Sequence, residues 1–288
     1  MKISVSSYSF SQYIRQGKLT QLDCVAKAKE MGFDAIEFID LDGAPDLEAQ
    51  KEYARKIRME ADRVGIEINA YTIGGCLYKE TREEMDAEIA RLKGQVEVAA
   101  ILGAKVMRHD VCYQLTKSGD GRSFDMMLPY IADNAREITA YAQTLGVKTC
   151  TENHGYIAQD SDRVERLFNT VHHENYGLLV DMGNFVCADE NPQTAVSRVA
   201  PYAIHVHAKD MLYRSEPTGD GWGMTRACNY FKGTVVGEGD VPVKKCLQIL
   251  KRAGYDGYVS IEFEGSGDCI EGIGRGLNNL RKMIAALD

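Results

Sequence analysis

The sequence predicts a (β/α)8 barrel, and three observations predict it. Eight short apolar runs alternate with longer amphipathic segments from one end of the chain to the other. Several of the amphipathic segments close on a glycine just ahead of the next apolar run. The 288 residues match the length that eight such units need.

Taken in order, residues 3–8 are expected as the first strand and 19–31 as the first long helix, which stops at Met31-Gly32. Strand 35–39 leads to helix 46–64, closed by Val64-Gly65, and strand 66–71 to helix 83–102, closed by Leu102-Gly103. Strand 105–109 is followed by helix 124–145 and Gly146, strand 147–152 by helix 161–171, and strand 177–181 by helix 191–200. After strand 203–207 come helix 241–253, closed by Ala253-Gly254, strand 258–262 and helix 270–287. The runs are rich in Val, Ile, Tyr and Thr, as strands covered on both faces are, and a glycine after a helix takes the left-handed cap. A doubly wound sheet is the alternative, but its first turn carries a Gly-rich phosphate loop where this chain has Ser7-Tyr8-Ser9-Phe10. No linker, repeat or shift of composition divides the chain, so one domain is expected over residues 1–288.

One connection is out of proportion. Residues 208–240 hold Pro217-Thr218-Gly219-Asp220-Gly221-Trp222-Gly223, with the only tryptophan, and then Gly237-Glu238-Gly239. A loop of that length is expected to act as a lid, or as a contact for a second copy or a small partner subunit.

Composition narrows the function classes. Hydrophobic residues at 44% offset the entropy of ordering and exclude a disordered chain. A net charge of −8 gives no broad basic face, so neither nucleic acid nor an anionic membrane is an expected partner. The N-terminal run turns polar too early for a signal-peptide core, and no run approaches the roughly 18 to 20 apolar residues that span a bilayer. The 8 cysteines are scattered without a Cys-x-x-Cys pair, the pattern of reduced, mostly buried thiols in a cytoplasmic protein.

Barrel enzymes work at the C-terminal ends of their strands. There the fifth strand delivers Glu152, the sixth Asp181, the seventh His207 and the eighth Glu262. Three carboxylates and an imidazole at one mouth repel one another and lose hydration, and a divalent cation resolves both problems. One ion is expected: Mn²⁺ first, with Mg²⁺, Co²⁺ or Zn²⁺ also suited to three oxygens and one nitrogen. No phosphate loop, nucleophile elbow or dinucleotide fingerprint competes with this reading.

The stretches Glu152-Asn153-His154-Gly155, Val180-Asp181-Met182-Gly183-Asn184, His205-Val206-His207-Ala208-Lys209-Asp210 and Tyr258-Val259-Ser260-Ile261-Glu262 resemble the sugar phosphate isomerase/epimerase family. That family belongs to the xylose isomerase-like TIM barrel superfamily, and the likeness runs over nearly the whole chain. The resemblance implies that Glu152, Asp181, His207 and Glu262 are the metal ligands. It also implies that Glu152 and Glu262 are acid/base groups of an isomerase or epimerase working on a sugar or keto-sugar. The proton next to the carbonyl would leave, and a metal-stabilised ene-diolate would form. Loss of a β-substituent on the same site, from an inosose or 3-keto-glycoside, would make the protein a dehydratase or lyase instead. Asn184 stands where ketose 3-epimerases carry a histidine, and Ala158 where they carry a glutamate. Both departures move the resemblance toward the inosose dehydratase-like and keto-glycoside-acting branches. The superfamily's nucleases on abasic DNA need more histidines and a basic face, so that activity is disfavoured.

Other residues are candidates by position. His154, two beyond a ligand, is expected as a general acid. Arg108 and His109 at the end of the fourth strand, Lys209 after the seventh, Arg214 in the long loop and Glu37 late in the second strand are expected to hold substrate oxygens. Tyr8 reads as core packing, Glu264 as a weak substrate candidate, and His172-His173 as a surface pair on the far side of the barrel.

Overall fold

The computed structural model describes residues 1–287. Parallel strands β1 (Lys2–Ser6), β2 (Ala35–Ile39), β3 (Glu67–Ile73), β4 (Val106–His109), β5 (Lys148–Glu152), β6 (Tyr176–Asp181) and β7 (Ala203–Ala208) follow one another round a closed barrel. A three-stranded antiparallel sheet intervenes, made of β8 (Asp210–Arg214), β9 (Gly223–Met224) and β10 (Tyr230–Thr234). The last barrel strand, β11 (Tyr258–Ile261), pairs with both β7 and β1 and shuts the ring.

The short helix α1 (Ser11–Arg15) follows the first strand, and α2 (Gln21–Met31), α3 (Leu47–Val64), α4 (Arg82–Leu102), α5 (Phe124–Thr144) and α6 (Ser161–Val171) follow as the outer layer. After β6 come α7 (Asn184–Cys187) and α8 (Pro192–Val199); α9 (Val243–Arg252) and α10 (Cys269–Ala285) complete the layer. Local chemistry marks the ends of these helices. Thr20 and Asp23 form a capping box on α2, and Thr81 with Glu84 does the same on α4. Gly32 and Gly65 sit at φ 88° and 70° past α2 and α3, a conformation that carries no Cβ penalty in glycine alone. The long outer helices turn apolar side chains inward; on α3, Ala54, Ile57 and Ala61 are fully buried.

Most boundaries shift by a residue or two, and two stretches differ in kind from the sequence expectation. The first strand ends at Ser6, because Ser7–Phe10 wind into a tight 3-10 turn whose start is capped by the Ser6 side chain. The stretch expected as a long loop is instead built around a small three-stranded sheet. Its β-prone Tyr230-Phe231-Lys232-Gly233-Thr234 pairs with β8, and the glycines and proline of residues 217–223 make the turn. Carboxylates pin this excursion to the barrel. Asp210 accepts from the amides of Met211, Gly237, Gly239 and Val241 at 2.8–3.1 Å. Asp189 accepts from Tyr213 Oη, Thr225 Oγ1, Asn229 Nδ2 and the Ala227 amide.

All the cysteines are free thiols, most of them buried, with Cys228 exposed. No helix among the described residues is long and apolar enough to cross a membrane.

Candidate metal centre and active site

Four consecutive strand ends build the centre. Glu152 closes β5, Asp181 closes β6, His207 lies next to last in β7, and Glu262 is the first residue past β11. Strand alternation turns all four into the barrel, where each is at most 7% exposed. One donor atom from each lies within 4.8 Å of the others.

Asn153, directly after Glu152, locks β5 to β6. Its Oδ1 accepts from the Asp181 amide at 2.9 Å and its Nδ2 donates to the Asp181 carbonyl at 2.9 Å. The chain then turns sharply, and Asp181 Oδ1 accepts from the amides of Gly183 and Asn184 at 2.7 and 2.9 Å. That leaves Asp181 Oδ2 buried without a hydrogen-bond partner, as is His207 Nδ1. The two orphans face each other at 3.7 Å, and His207 Nδ1 also lies 3.5 Å from Glu152 Oε1 and 3.8 Å from Glu262 Oε2. Atoms about 2.1 Å from a common ion stand roughly 3–3.5 Å apart, so this donor set fits a divalent cation with little adjustment.

The electrostatics agree with that fit. Burial pulls the His207 pKa down, yet Glu37, Glu262 and Glu152 around it raise it well above the usual imidazole value. Carboxylates that raise the pKa of a buried imidazole mark a site rich in negative charge. Burial pushes Glu262 above the usual carboxylate range, although Lys209 and His207 pull it down. Burial also pushes Glu152 up, but Arg108 and His207 outweigh it and hold the carboxyl well below its usual range.

The remaining predicted residues divide by position. Arg108 reaches into the barrel, where it pairs with Glu152, with Asp110 Oδ2 at 3.1 Å and with the Ile73 carbonyl at 3.0 Å. Its donors are thus turned to protein carboxylates. His154 is 3.1 Å from Asp110 Oδ1, and its side chain stays 40% exposed at the mouth. Burial lowers its pKa, but the bond to Asp110 leaves it raised overall. Lys209 is buried with its ammonium 2.5 Å from Glu262 Oε2, 3.5 Å from Asp181 Oδ2 and 3.4 Å from Glu264 Oε1. Asn184 ties these groups together, donating to Glu152 Oε1 at 2.9 Å and accepting from Lys209 at 3.2 Å.

Three candidates expected to hold substrate stand elsewhere. Arg214, on β8, is half-exposed and bonded to Asp240 at 2.6 Å, because the excursion that carries it folds as a pinned sheet. His109 is fully buried, its Nδ1 3.1 Å from the Asp110 carbonyl, since alternation along β4 turns it opposite to Arg108. Glu37 is fully buried beneath His207, 2.8 Å from its Nε2 and 2.5 Å from His205 Nε2, closed off from a ligand in the mouth.

Sequence reasoning missed His205 as part of the site. The signal for His205 was its spacing, two residues before His207 and therefore on the same face of the strand. Beside the mouth, a cleft of about 300 Å³ is lined by Tyr8, Arg15, Phe263 and Glu264, a volume at the lower end of small-molecule pockets. Tyr8, expected as core packing, thus lies at the mouth.

A family model described as "Xylose isomerase-like TIM barrel" matches residues 25–283. The inosose dehydratase of Lacticaseibacillus casei is 26% identical over 140 residues, 48% of this chain and 45% of that protein. The match therefore spans less than half the length of this curated relative. Among solved structures, the probable 3-DHS dehydratase AsbF of Bacillus anthracis, involved in petrobactin synthesis, aligns with a TM-score of 0.74. It is 18% identical, with 98% of this chain and 99% of that one covered. The IolI protein with a bound zinc atom also aligns with a TM-score of 0.74, at 18% identity over 100% of this chain and 99% of that one.

Proposed function

The chain belongs to the xylose isomerase-like TIM barrel family, and from that premise we propose that it is a divalent-metal-dependent dehydratase acting on a keto-polyol of the inosose type. The observation that carries the reading is the convergence of Glu152, Asp181, His207 and Glu262, with Asp181 Oδ2 and His207 Nδ1 left unpartnered toward one point. A divalent cation bound by these four would act as a Lewis acid on the substrate's carbonyl and neighbouring hydroxyl oxygens.

The chain's own groups supply the proton transfers. Glu262 is the base: it is tied to Lys209 and faces the mouth, so it can take the proton from the carbon next to the carbonyl. Lys209, beside it, offsets the charge that develops on the substrate oxygens. His154, partly exposed and held by Asp110, donates a proton to the departing hydroxyl. One C–H and one C–O bond break, a C=C bond forms, and water leaves, with no net oxidation or reduction. Glu262 then gives its proton to solvent and His154 takes one up, which resets both groups.

Elimination is favoured over epimerisation by the state of Glu152. Arg108 holds one of its oxygens and Asn184 the other, so it is poorly placed to shuttle a proton from a second face. Epimerisation or isomerisation remains the second reading, because Glu152 and Glu262 do approach the centre from different strands. The family relatives fit elimination through the dehydratase name of the Lacticaseibacillus protein.

The two readings separate in D2O. Metal-loaded protein given an inosose is expected to form a dehydrated dione or its enol, with exchange at the carbon next to the carbonyl. Recovery of the substrate and an epimer or isomer, deuterated and with no loss of water, would favour the second reading. No exchange with inososes, ketoses or 3-keto-glycosides would overturn both.

A further inference from the structure

The barrel interior beneath the centre holds a feature that neither the proton transfers nor the ligand set uses. Interior layers of such barrels are ordinarily filled by branched aliphatic side chains. Here a carboxylate, Glu37 of β2, lies among them with no exposed surface. Strands β1 and β11 separate β2 from β7 around the ring, so Glu37 reaches His205 and His207 across the interior rather than along a ladder. Its Oε2 is 2.5 Å from His205 Nε2 and its Oε1 is 2.8 Å from His207 Nε2.

A bare nitrogen lone pair that close to a carboxylate oxygen would be strongly repelled, so each Nε2 carries a proton. With its Nε2 so engaged, His207 has Nδ1 as the nitrogen that faces Glu152, Asp181 and Glu262. An isolated buried carboxylate is costly; His205 Nε2 hydrogen-bonds one oxygen, and His207 Nε2 stands against the other as a close ion pair whose angle falls short of a hydrogen bond.

We propose that Glu37 is a positioning residue for the metal centre: anchored by its hydrogen bond to His205 and set against His207 Nε2, it keeps the His207 proton on Nε2 and so holds the ring in the tautomer and orientation that present Nδ1 to the cation. The inference rests on the reading of His207 as a ligand. A carboxylate behind a ligating histidine fixes its tautomer and raises its basicity, and loss of such a partner costs about 10–100-fold in metal affinity.

Glu37→Gln tests this with the volume of the barrel plug nearly unchanged. The amide has one acceptor and would turn its NH2 group toward the other imidazole's N–H. Zinc and manganese dissociation constants are measured by chelator competition in the wild-type protein and in Glu37→Gln, with folding checked by circular dichroism. The expected result is a 10–100-fold weaker affinity in the variant. Should the variant not fold, histidine ¹⁵N–¹H spectra of the zinc-loaded wild-type protein decide. The expected spectrum has His207 bound through Nδ1 with its proton on Nε2, a signature that a purely structural plug has no reason to set. Affinity within twofold of wild type in a folded variant, or a zinc-bound His207 with its proton on Nδ1, would overturn the proposal. A wild-type protein that binds neither ion would instead bring down the metal reading itself, before any variant is compared.

Discussion

Lys209 places its ammonium 2.5 Å from Glu262 Oε2 and 3.5 Å from Asp181 Oδ2, so a permanent cation stands beside the position where the proposed metal would bind. The two positive charges compete for the same carboxylates yet serve different steps. Lys209→Met is therefore expected to leave Mn²⁺ affinity equal to or tighter than wild type, while kcat falls by about 10²–10⁴. Chelator competition and steady-state kinetics on one preparation check both signs. Weaker metal binding together with unchanged kcat would contradict the role given to Lys209.

Arg108 tests the balance of charge on the opposite wall. It is 6% exposed and pairs with both Glu152 and Asp110. Removing one partner of a buried ion pair costs about 3–5 kcal/mol, because the remaining charge is left desolvated and alone. Arg108→Met is expected to lose about that much stability in urea denaturation without metal, and less with saturating Mn²⁺, which gives Glu152 a new partner. An equal loss in both conditions would show that Glu152 does not face the ion.

Asp189 gives the excursion after β7 a defined acid sensitivity. Burial pushes its carboxyl up, but donors from Thr225, Asn229, Ala227 and Tyr213 outweigh it and hold the pKa below the usual aspartate value. A carboxyl depressed in the folded state adds stability that is fully present above its unfolded pKa of about 3.9 and is lost as pH falls through the folded value. Asp189→Asn is expected to cost about 1 kcal/mol at neutral pH, with the gap to wild type closing below about pH 4. A gap that widens in acid would contradict this account.

The barrel was legible in the sequence because its two periodicities are local. Strands covered on both faces write short apolar runs, and helices such as α3 write an apolar stripe and a closing Gly65. Glu152, Asp181, His207 and Glu262 could be picked out because each ends such a run, and the structure brings them within 4.8 Å. What lay between strands could not be read. The contact between Glu37 and His207 crosses the barrel, and no spacing along the chain records it. Arg108 was expected to face substrate, but its partners Glu152 and Asp110 are set by tertiary packing. The sheet of β8, β9 and β10 was hidden because its turn residues, Pro217 to Gly223, look like an unstructured loop until Asp189 and Asp210 fasten it.

Whether Glu152, Asp181, His207 and Glu262 hold a single metal ion is decided by the metal stoichiometry of the purified, reconstituted protein, measured by elemental analysis. About one equivalent of Mn²⁺, Co²⁺, Mg²⁺ or Zn²⁺ per chain is expected in the wild type and its loss in His207→Ala, with the variant still folded. No bound ion after reconstitution with each of these metals, or one equivalent that persists in His207→Ala, would contradict it.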